Sequence, residues 1–275
     1  MTLKTLSGNP IFPIGIGTWL MGGDWDADAK IPTAIYDDDQ THIDAIKYCV
    51  SKGQNHIDTA EMYGAGHTDE IVGEAIKDLA REDLFIADKL WKDSFGEIET
   101  REAVQTMLKS LGTEYIDLLY IHSPFDSNEW EKSIKPINDL IDEGIVKNFG
   151  VSNFSVENMK RANELSKHSI VANQMLYNCA YKDEVDANFV KYCKDNNILI
   201  VSYRPIDRGI LLDNKTIIEI AEKHSATPAQ VCIAWLLQRD AVTIPKASNI
   251  KHIDENFEAS NIKLDNDDLE KLDRL

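Results

Sequence analysis

The sequence predicts an α/β fold of the (β/α)8 TIM-barrel type with an N-terminal β-hairpin, in which residues 1–275 form one domain. Three observations lead there. Eight short apolar runs rich in β-branched residues alternate with segments of helical period, at a spacing of about thirty residues. No GxGxxG follows the first run, which disfavours the runner-up, a doubly wound open sheet. No shift of composition marks a second domain, and barrels of this kind commonly reach this length as one unit.

The elements follow in order. KTLSGNPIF places Ser7, Gly8 and Asn9 between apolar flanks, the pattern of a small hairpin able to cap the barrel bottom. Gly15–Trp19 is the first strand. Residues 37–53 then read as a helix: Ile43, Ile46, Tyr48 and Val50 recur near helical spacing, an acidic start suits the dipole, and Gly53 stops it. His56–Ala60 and Leu84–Lys89 are strands two and three. The helix EIETREAVQTMLKSLG ends on Gly112, and Asp117–His122 and Val146–Ser152 are strands four and five. Ser155 opens the helix SVENMKRANELSKH, which leads to Val171–Met175. Leu199–Arg204 is the seventh strand. Thr227 and Pro228 read as cap and first position of PAQVCIAWLLQRD, which feeds the eighth strand, Val242–Lys246, and DNDDLEKLDRL is a last amphipathic helix. The polar, Gly-rich GGDWDADAKIP is expected to be a loop.

Composition narrows the class. Apolar residues at 43% fit a packed core, and no apolar run is long enough to cross a bilayer. MTLKTLSGNP lacks the basic start and apolar centre of a secretory signal, so a cytoplasmic location is expected. Asp and Glu number 47 against 29 Lys and Arg, a net charge of −18 that excludes a nucleic-acid partner in the absence of a basic cluster. Cys49, Cys179, Cys193 and Cys232 are scattered without a CxxC pair, which reads as ordinary thiols and no metal site. No exposed apolar stripe stands out, and a monomer is expected.

In a barrel of this type chemistry sits at the carboxyl ends of the strands. Here those ends carry Thr18 and Trp19, Asp58 with Tyr63 just beyond, Lys89, His122, Ser152 and Asn153, Gln174, Tyr203, and Lys246. Singly each has a plain structural reading, as a cap, a snorkelling lysine or a satisfied core histidine. Together, an Asp, a Tyr, a Lys and a His on neighbouring strands would be costly to bury unless they pair with one another. A phenol with a pKa near about 10 is a poor acid at neutral pH unless a cation stabilises its phenolate. Lys89 can supply that cation, Asp58 can hold it charged, and His122 can donate to a substrate oxygen as negative charge develops. The group suits proton delivery to a carbonyl oxygen. With no nucleophile–base pair and too few carboxylates for a metal, a bound hydride donor is the simplest source of attack on the carbon. Glu61, in the same turn as Tyr63, has no role in this reading.

These residues lie in motifs that match a known family. GTW at 17–19, DTAEMYG at 58–64, DKLW around Lys89, DLLYIHSP at 117–124, GVSNF at 150–154, NQ at 173–174, SYRPI at 202–206 and IPKAS at 244–248 stand in order and at similar spacing. Over essentially its whole length the sequence resembles the aldo-keto reductases, in their bacterial, short-loop form. The resemblance implies a catalytic tetrad of Asp58, Tyr63, Lys89 and His122, with Tyr63 as general acid in the reduction of aldehydes or ketones, broad small-carbonyl or sugar-like substrates. It implies a cofactor, NADP(H), bound extended without a Rossmann fold. Ser152, Asn153 and Gln174 would hold the nicotinamide carboxamide and Tyr203 would stack on the ring. Lys246 would meet the 2′-phosphate with Ser248 and Asn249 near it, and Glu255 and Asn256 would lie near the adenine. Thr18, Trp19, Asp58, Arg204, Pro205, Ile206, Ala247 and His252 complete the expected cofactor contacts. Trp19, Tyr63, Trp91 and His122 are the expected substrate contacts, with Trp25 a further candidate for the pocket wall.

Departures from the family pattern carry expectations of their own. His252 stands where many members have Arg, and Ala247 where Ser is common, which replaces a fixed bidentate cation and leaves NAD(H) as a second cofactor. Ser123 and Pro124 follow His122 in place of a bulky Trp, a change expected to widen the pocket floor. Short loops after strands four and seven, and an end about twenty residues past Asn256, predict that the long tail of many relatives is missing. Two rival readings remain. One is a non-catalytic cofactor-binding or sensing protein on the same barrel, which the complete tetrad disfavours. The other is a lyase or isomerase using Lys89 as a Schiff-base amine, which needs a depressed lysine pKa that Asp58 would oppose.

Overall fold

Strands buried on both faces are mostly apolar, and the apolar runs of this sequence fold accordingly into parallel strands whose few polar residues are buried too. In the computed structural model, which describes residues 3–6, 8–26, 31–125 and 127–275 without the side chains of residues 25 and 26, they form one sheet. Its strands are β3 (Ile16–Gly17), β6 (His56–Asp58), β7 (Phe85–Leu90), β8 (Leu118–Ile121), β9 (Phe149–Ser152), β10 (Ile170–Leu176), β11 (Leu199–Tyr203) and β12 (Val242–Thr243). Neighbours in the sheet are neighbours in the chain, and every pairing is parallel. A parallel bridge between Ile14 and Thr243 closes the sheet into a barrel.

Both strands at the closing seam are shorter than the sequence predicts. Pro13 and Pro245 flank them, and without an N–H each can only accept, from Thr243 N at 3.0 Å and from Gly17 N at 3.3 Å. The eighth strand therefore ends at Thr243 rather than Lys246, and the first spans two residues. The second likewise ends at Asp58, although Thr59 N and Glu61 N still donate to Ala87 O and Lys89 O at 2.9 and 3.3 Å. Gly17 admits the close approach at the seam, since a Cβ there would sit 2.3 Å from Ile244 O.

Among the described residues ten helices connect and cover the strands: α1 (Asp39–Ser51), α2 (His67–Ile76), α3 (Glu97–Leu111), α4 (Ile134–Asp142), α5 (Val156–Leu165), α6 (Ala187–Asp195), α7 (Lys215–Lys223), α8 (Pro228–Gln238), α9 (Ile250–Glu258) and α10 (Asn266–Leu272). Their caps are those the sequence announces. Ser155 accepts from Asn158 N, Thr227 forms a capping box with Gln230 ahead of Pro228, and Gly112 closes α3 in the left-handed conformation.

The expected hairpin pairs β1 (Lys4–Leu6) with β2 (Asn9–Ile11), while Ser7 in its turn lies outside the described residues. Its Leu6 and Ile11 join Phe85, Leu118, Tyr120 and Val242 in one buried cluster, so the hairpin plugs the lower end of the barrel. The segment read as an irregular loop is a correction. Gly23–Asp26 (β4) pairs antiparallel with Ile31–Ala34 (β5), and the ladder outweighs the polar, Gly-rich composition. The Trp25 side chain, a candidate for the pocket wall, lies outside the described residues.

If the seam depends on the missing side chain of Gly17, Gly17→Ala is expected to destabilise the protein by about 1–3 kcal/mol through overpacking. Urea unfolding checks this, and an unchanged midpoint would show that the seam can give.

Candidate active site

Three neighbouring strand ends bring the expected tetrad together. Asp58 is the last residue of β6, Lys89 lies in β7, His122 follows β8, and Tyr63 begins a 3-10 turn beyond β6. Lys89 is fully buried, and its Nζ donates to Asp58 Oδ1 at 2.5 Å, to Thr59 O at 2.6 Å and to the Tyr63 hydroxyl at 3.3 Å. All three ammonium hydrogens thus have an acceptor. Gln174 Nε2 donates to the other Asp58 oxygen at 2.7 Å, so the carboxylate is held from both sides. The turn carrying Tyr63 needs Gly64, whose φ is 55° and where a Cβ would sit 2.5 Å from Gly22 O.

Electrostatics assign each group a state. Burial opposes the charge of Lys89, but Asp58 and Tyr63 outweigh it and push the amine above its ordinary range. A permanently charged lysine cannot serve as a Schiff-base nucleophile at neutral pH, which removes that rival. At Tyr63 the Lys89 ammonium pulls the phenol down, as expected, but it is not the largest influence. Burial raises its pKa by more than Lys89 lowers it, so the phenol holds its proton. Burial, and then Lys89, push His122 well below its ordinary value, leaving a neutral imidazole with one hydrogen to donate. The Nδ1 of His122 is buried without a hydrogen-bond partner.

Aromatic groups wall this cluster. Trp19 meets the Tyr63 ring edge-on with centroids 4.9 Å apart, and Trp91 meets His122 in the same way at 5.1 Å. Phe125, which the sequence reading missed, turns back onto Trp91 at 4.9 Å from a left-handed backbone, φ 50°. It brings a ring to the region where Ser123 and Pro124 were expected to leave width. An open hollow of about 310 Å³ lies beyond it, lined by Pro124, Phe125, Ser127, Asn128, Trp130 and Asn158.

The rim continues through a polar chain. Asn153, at φ 60°, donates to His122 O and to Ser152 Oγ; Ser152 Oγ donates to Gln174 O; and the Tyr203 hydroxyl donates to Asn153 Oδ1 at 2.9 Å. Thr18 is buried and donates to Asp58 O, Arg204 is exposed with its carbonyl held by Asn178, and Pro205 and Ile206 lead into the turn that follows. Lys246, Ala247, Ser248 and Asn249 form the segment from β12 to α9, and His252, Glu255 and Asn256 lie on α9. Asn249 caps α9 by accepting from Lys251 N, and His252 is exposed. Burial holds Lys246 below its ordinary pKa, and among the described residues no ion pair ties it. A cation near Asp38 but without an ion pair, beside a helix N-terminus, fits a phosphate. His42 of α1, for which the sequence held no signal, contacts Ser248 Oγ at 3.1 Å.

Comparison with known proteins places this arrangement. The model of the Aldo/keto reductase family matches residues 13–275. The chain belongs to that family. A methylglyoxal reductase of Escherichia coli strain K12 is 30% identical over 276 residues, covering 98% of this chain and 92% of the relative. Among solved structures, a thermostable aldo-keto reductase in complex with the inhibitor epalrestat superposes with a TM-score of 0.92 at 35% identity, covering 100% of this chain and 99% of that one. An aldo-keto reductase from Klebsiella pneumoniae in complex with NADPH superposes with a TM-score of 0.87 at 28% identity, covering 100% and 95%. The fold these structures share with the chain is the barrel built above from the residues.

Asp58→Asn leaves the Lys89 ammonium buried without its countercharge. The variant is expected to lose about 3–5 kcal/mol of stability, as broken buried pairs do. Chemical denaturation measures it, and a wild-type midpoint would contradict a fully buried pair.

Proposed function

We propose that this protein reduces small aldehydes and ketones, dicarbonyls among them, to alcohols with NADPH. The observation that carries the reading is the Lys89 ammonium, held by Asp58 and touching the Tyr63 hydroxyl beside a neutral His122. The methylglyoxal reductase and the NADPH complex among its relatives support the substrate class and the cofactor. When bound, the cofactor supplies a hydride to the carbonyl carbon.

The residues of the chain do the rest. Tyr63 gives its phenolic proton to the carbonyl oxygen, and Lys89 stabilises the phenolate that remains until solvent reprotonates it. His122 donates to the same oxygen as charge accumulates. Ser152, Asn153 and Gln174 hold the carboxamide; the Gln174 nitrogen is committed to Asp58, so its carbonyl oxygen is the contact left for this purpose. Tyr203 would stack on the nicotinamide ring. Lys246, Ser248 and Asn249 take the 2′-phosphate, with Glu255 and Asn256 toward the adenine, and the exposed His252 adds charge only when protonated, which leaves NADH as a weaker second donor. Trp19 and Trp91 form apolar walls for a small substrate. A monomer in the cytoplasm completes the reading, supported by the acidic surface and the absence, among the described residues, of a helix able to cross a membrane.

Purified protein mixed with NADPH and a panel of short aldehydes, dicarbonyls and sugars is expected to consume the reduced cofactor. Tyr63→Phe is expected to lower turnover by about 10²–10⁴-fold while still binding NADPH, as loss of a general acid does. No turnover by the wild type on any carbonyl, or full activity in Tyr63→Phe, would end the reading. Run in parallel, NADH is expected to give a higher KM than NADPH.

A further inference from the structure

Glu61 sits two residues before Tyr63, and the segment it contacts begins two residues after Lys89. Its Oε1 accepts from the backbone N–H of Trp91, its Oε2 accepts from Ser94 Oγ at 2.9 Å, and its own N–H donates to Lys89 O at 3.3 Å. Ser94 is anchored in turn, because its carbonyl accepts from Thr100 Oγ1 at the start of α3. One carboxylate therefore spans the two sides of the site: Trp19 and Tyr63 on one, Trp91 with His122 and Phe125 on the other. No step of the reduction uses Glu61, yet a largely desolvated carboxylate sits there, half-buried among apolar and acidic neighbours, an arrangement that costs stability.

We propose that Glu61 is a positioning residue for the carbonyl substrate: by fastening the Tyr63 turn to the Trp91 segment it sets the gap between phenol and indole into which the substrate fits. This rests on the reductase reading of the site. Acting through Tyr63 and Trp91, it shapes substrate binding more than the chemical step. The groups facing it are Asp69 of α2, Asp93 of the turn after β7, and Asp88 of β7. Burial, with Asp69 and Asp93, pushes Glu61 up to about 7 against the pull of its two donors. Both donors favour the ionised acceptor, so the strap weakens as pH falls through about 7 and holds above it.

Steady-state kinetics with NADPH and a short aldehyde test this. Glu61→Ala is expected to raise KM by about tenfold, the loss of one or two hydrogen bonds, with a smaller fall in kcat and an unchanged Kd for NADPH. Ser94→Ala is expected to move KM the same way by less. In the wild type KM rises as pH falls through 7; in Glu61→Gln that dependence disappears, whereas Asp69→Asn keeps it, which separates Glu61 from the other buried carboxyl that titrates near 7. A folded Glu61→Ala with wild-type KM, or with kcat reduced and KM unchanged, overturns the proposal. If Glu61→Ala fails to fold, wild-type KM and pH profiles in both Glu61→Gln and Ser94→Ala overturn it. If the wild type turns over no carbonyl, the reductase reading fails by itself. The strap is then read from tryptophan emission: a change near pH 7 that is lost in Trp91→Phe and in Glu61→Gln supports it, and no such change overturns it.

Discussion

The buried contact between Lys89 and Asp58 is the interaction on which the rest of the site depends. Taking an ammonium and a carboxylate out of water costs several kcal/mol each by order of magnitude, and the loss is offset only when geometry is good and every remaining hydrogen and lone pair is used. This barrel meets that condition with three strands, β6, β7 and β10. Thr59 O and the Tyr63 hydroxyl take the other lysine hydrogens, and Gln174 takes the second carboxylate oxygen from across the barrel. Removing any one of these partners leaves a buried charge or dipole unsatisfied. The arrangement is therefore a structural commitment as much as a chemical one.

From that pair the states of the neighbours follow. Lys89 stays charged because Asp58 outweighs burial; Tyr63 stays protonated because burial outweighs Lys89; His122 stays neutral because burial and Lys89 act together. A charged lysine, a protonated phenol and a neutral imidazole around one point describe a donor site awaiting a developing oxyanion. Lys89 is surrounded by acids, yet burial pushes Asp69 up to about 7 and Asp88 well above its usual range. The lysine's charge is thus not cancelled by every carboxyl near it.

The barrel, and the gathering of Asp58, Lys89 and His122 at neighbouring strand ends, were legible in the sequence because both follow from period. Parallel strands buried on two faces must be apolar runs, so a polar residue at the carboxyl end of each marks the rim, and Asp58, Lys89, His122, Ser152 and Gln174 stood out on that ground. What was not legible depends on contacts between distant segments. Glu61 finds Trp91 and Ser94 thirty or more positions away, His42 finds Ser248 across 206, and neither has a local signature. Phe125 reaches Trp91 only through an unusual backbone angle. The β4–β5 ladder was hidden by glycine and charge, and the seam strands were shortened by prolines whose effect appears only once both edges meet. That burial outweighs Lys89 at Tyr63 was not legible, because proximity of a cation can be guessed from sequence, whereas the depth of burial cannot.

The central claim is that the Lys89 charge makes Tyr63 a competent proton donor. Replacing Lys89 with Met keeps the length and removes the charge, and the measurement is single-turnover oxidation of bound NADPH by a short aldehyde, alongside NADPH affinity. The account predicts a rate lower by about 10²-fold or more with affinity retained. A Lys89→Met protein that folds, binds NADPH and reduces the aldehyde at the wild-type rate would contradict it.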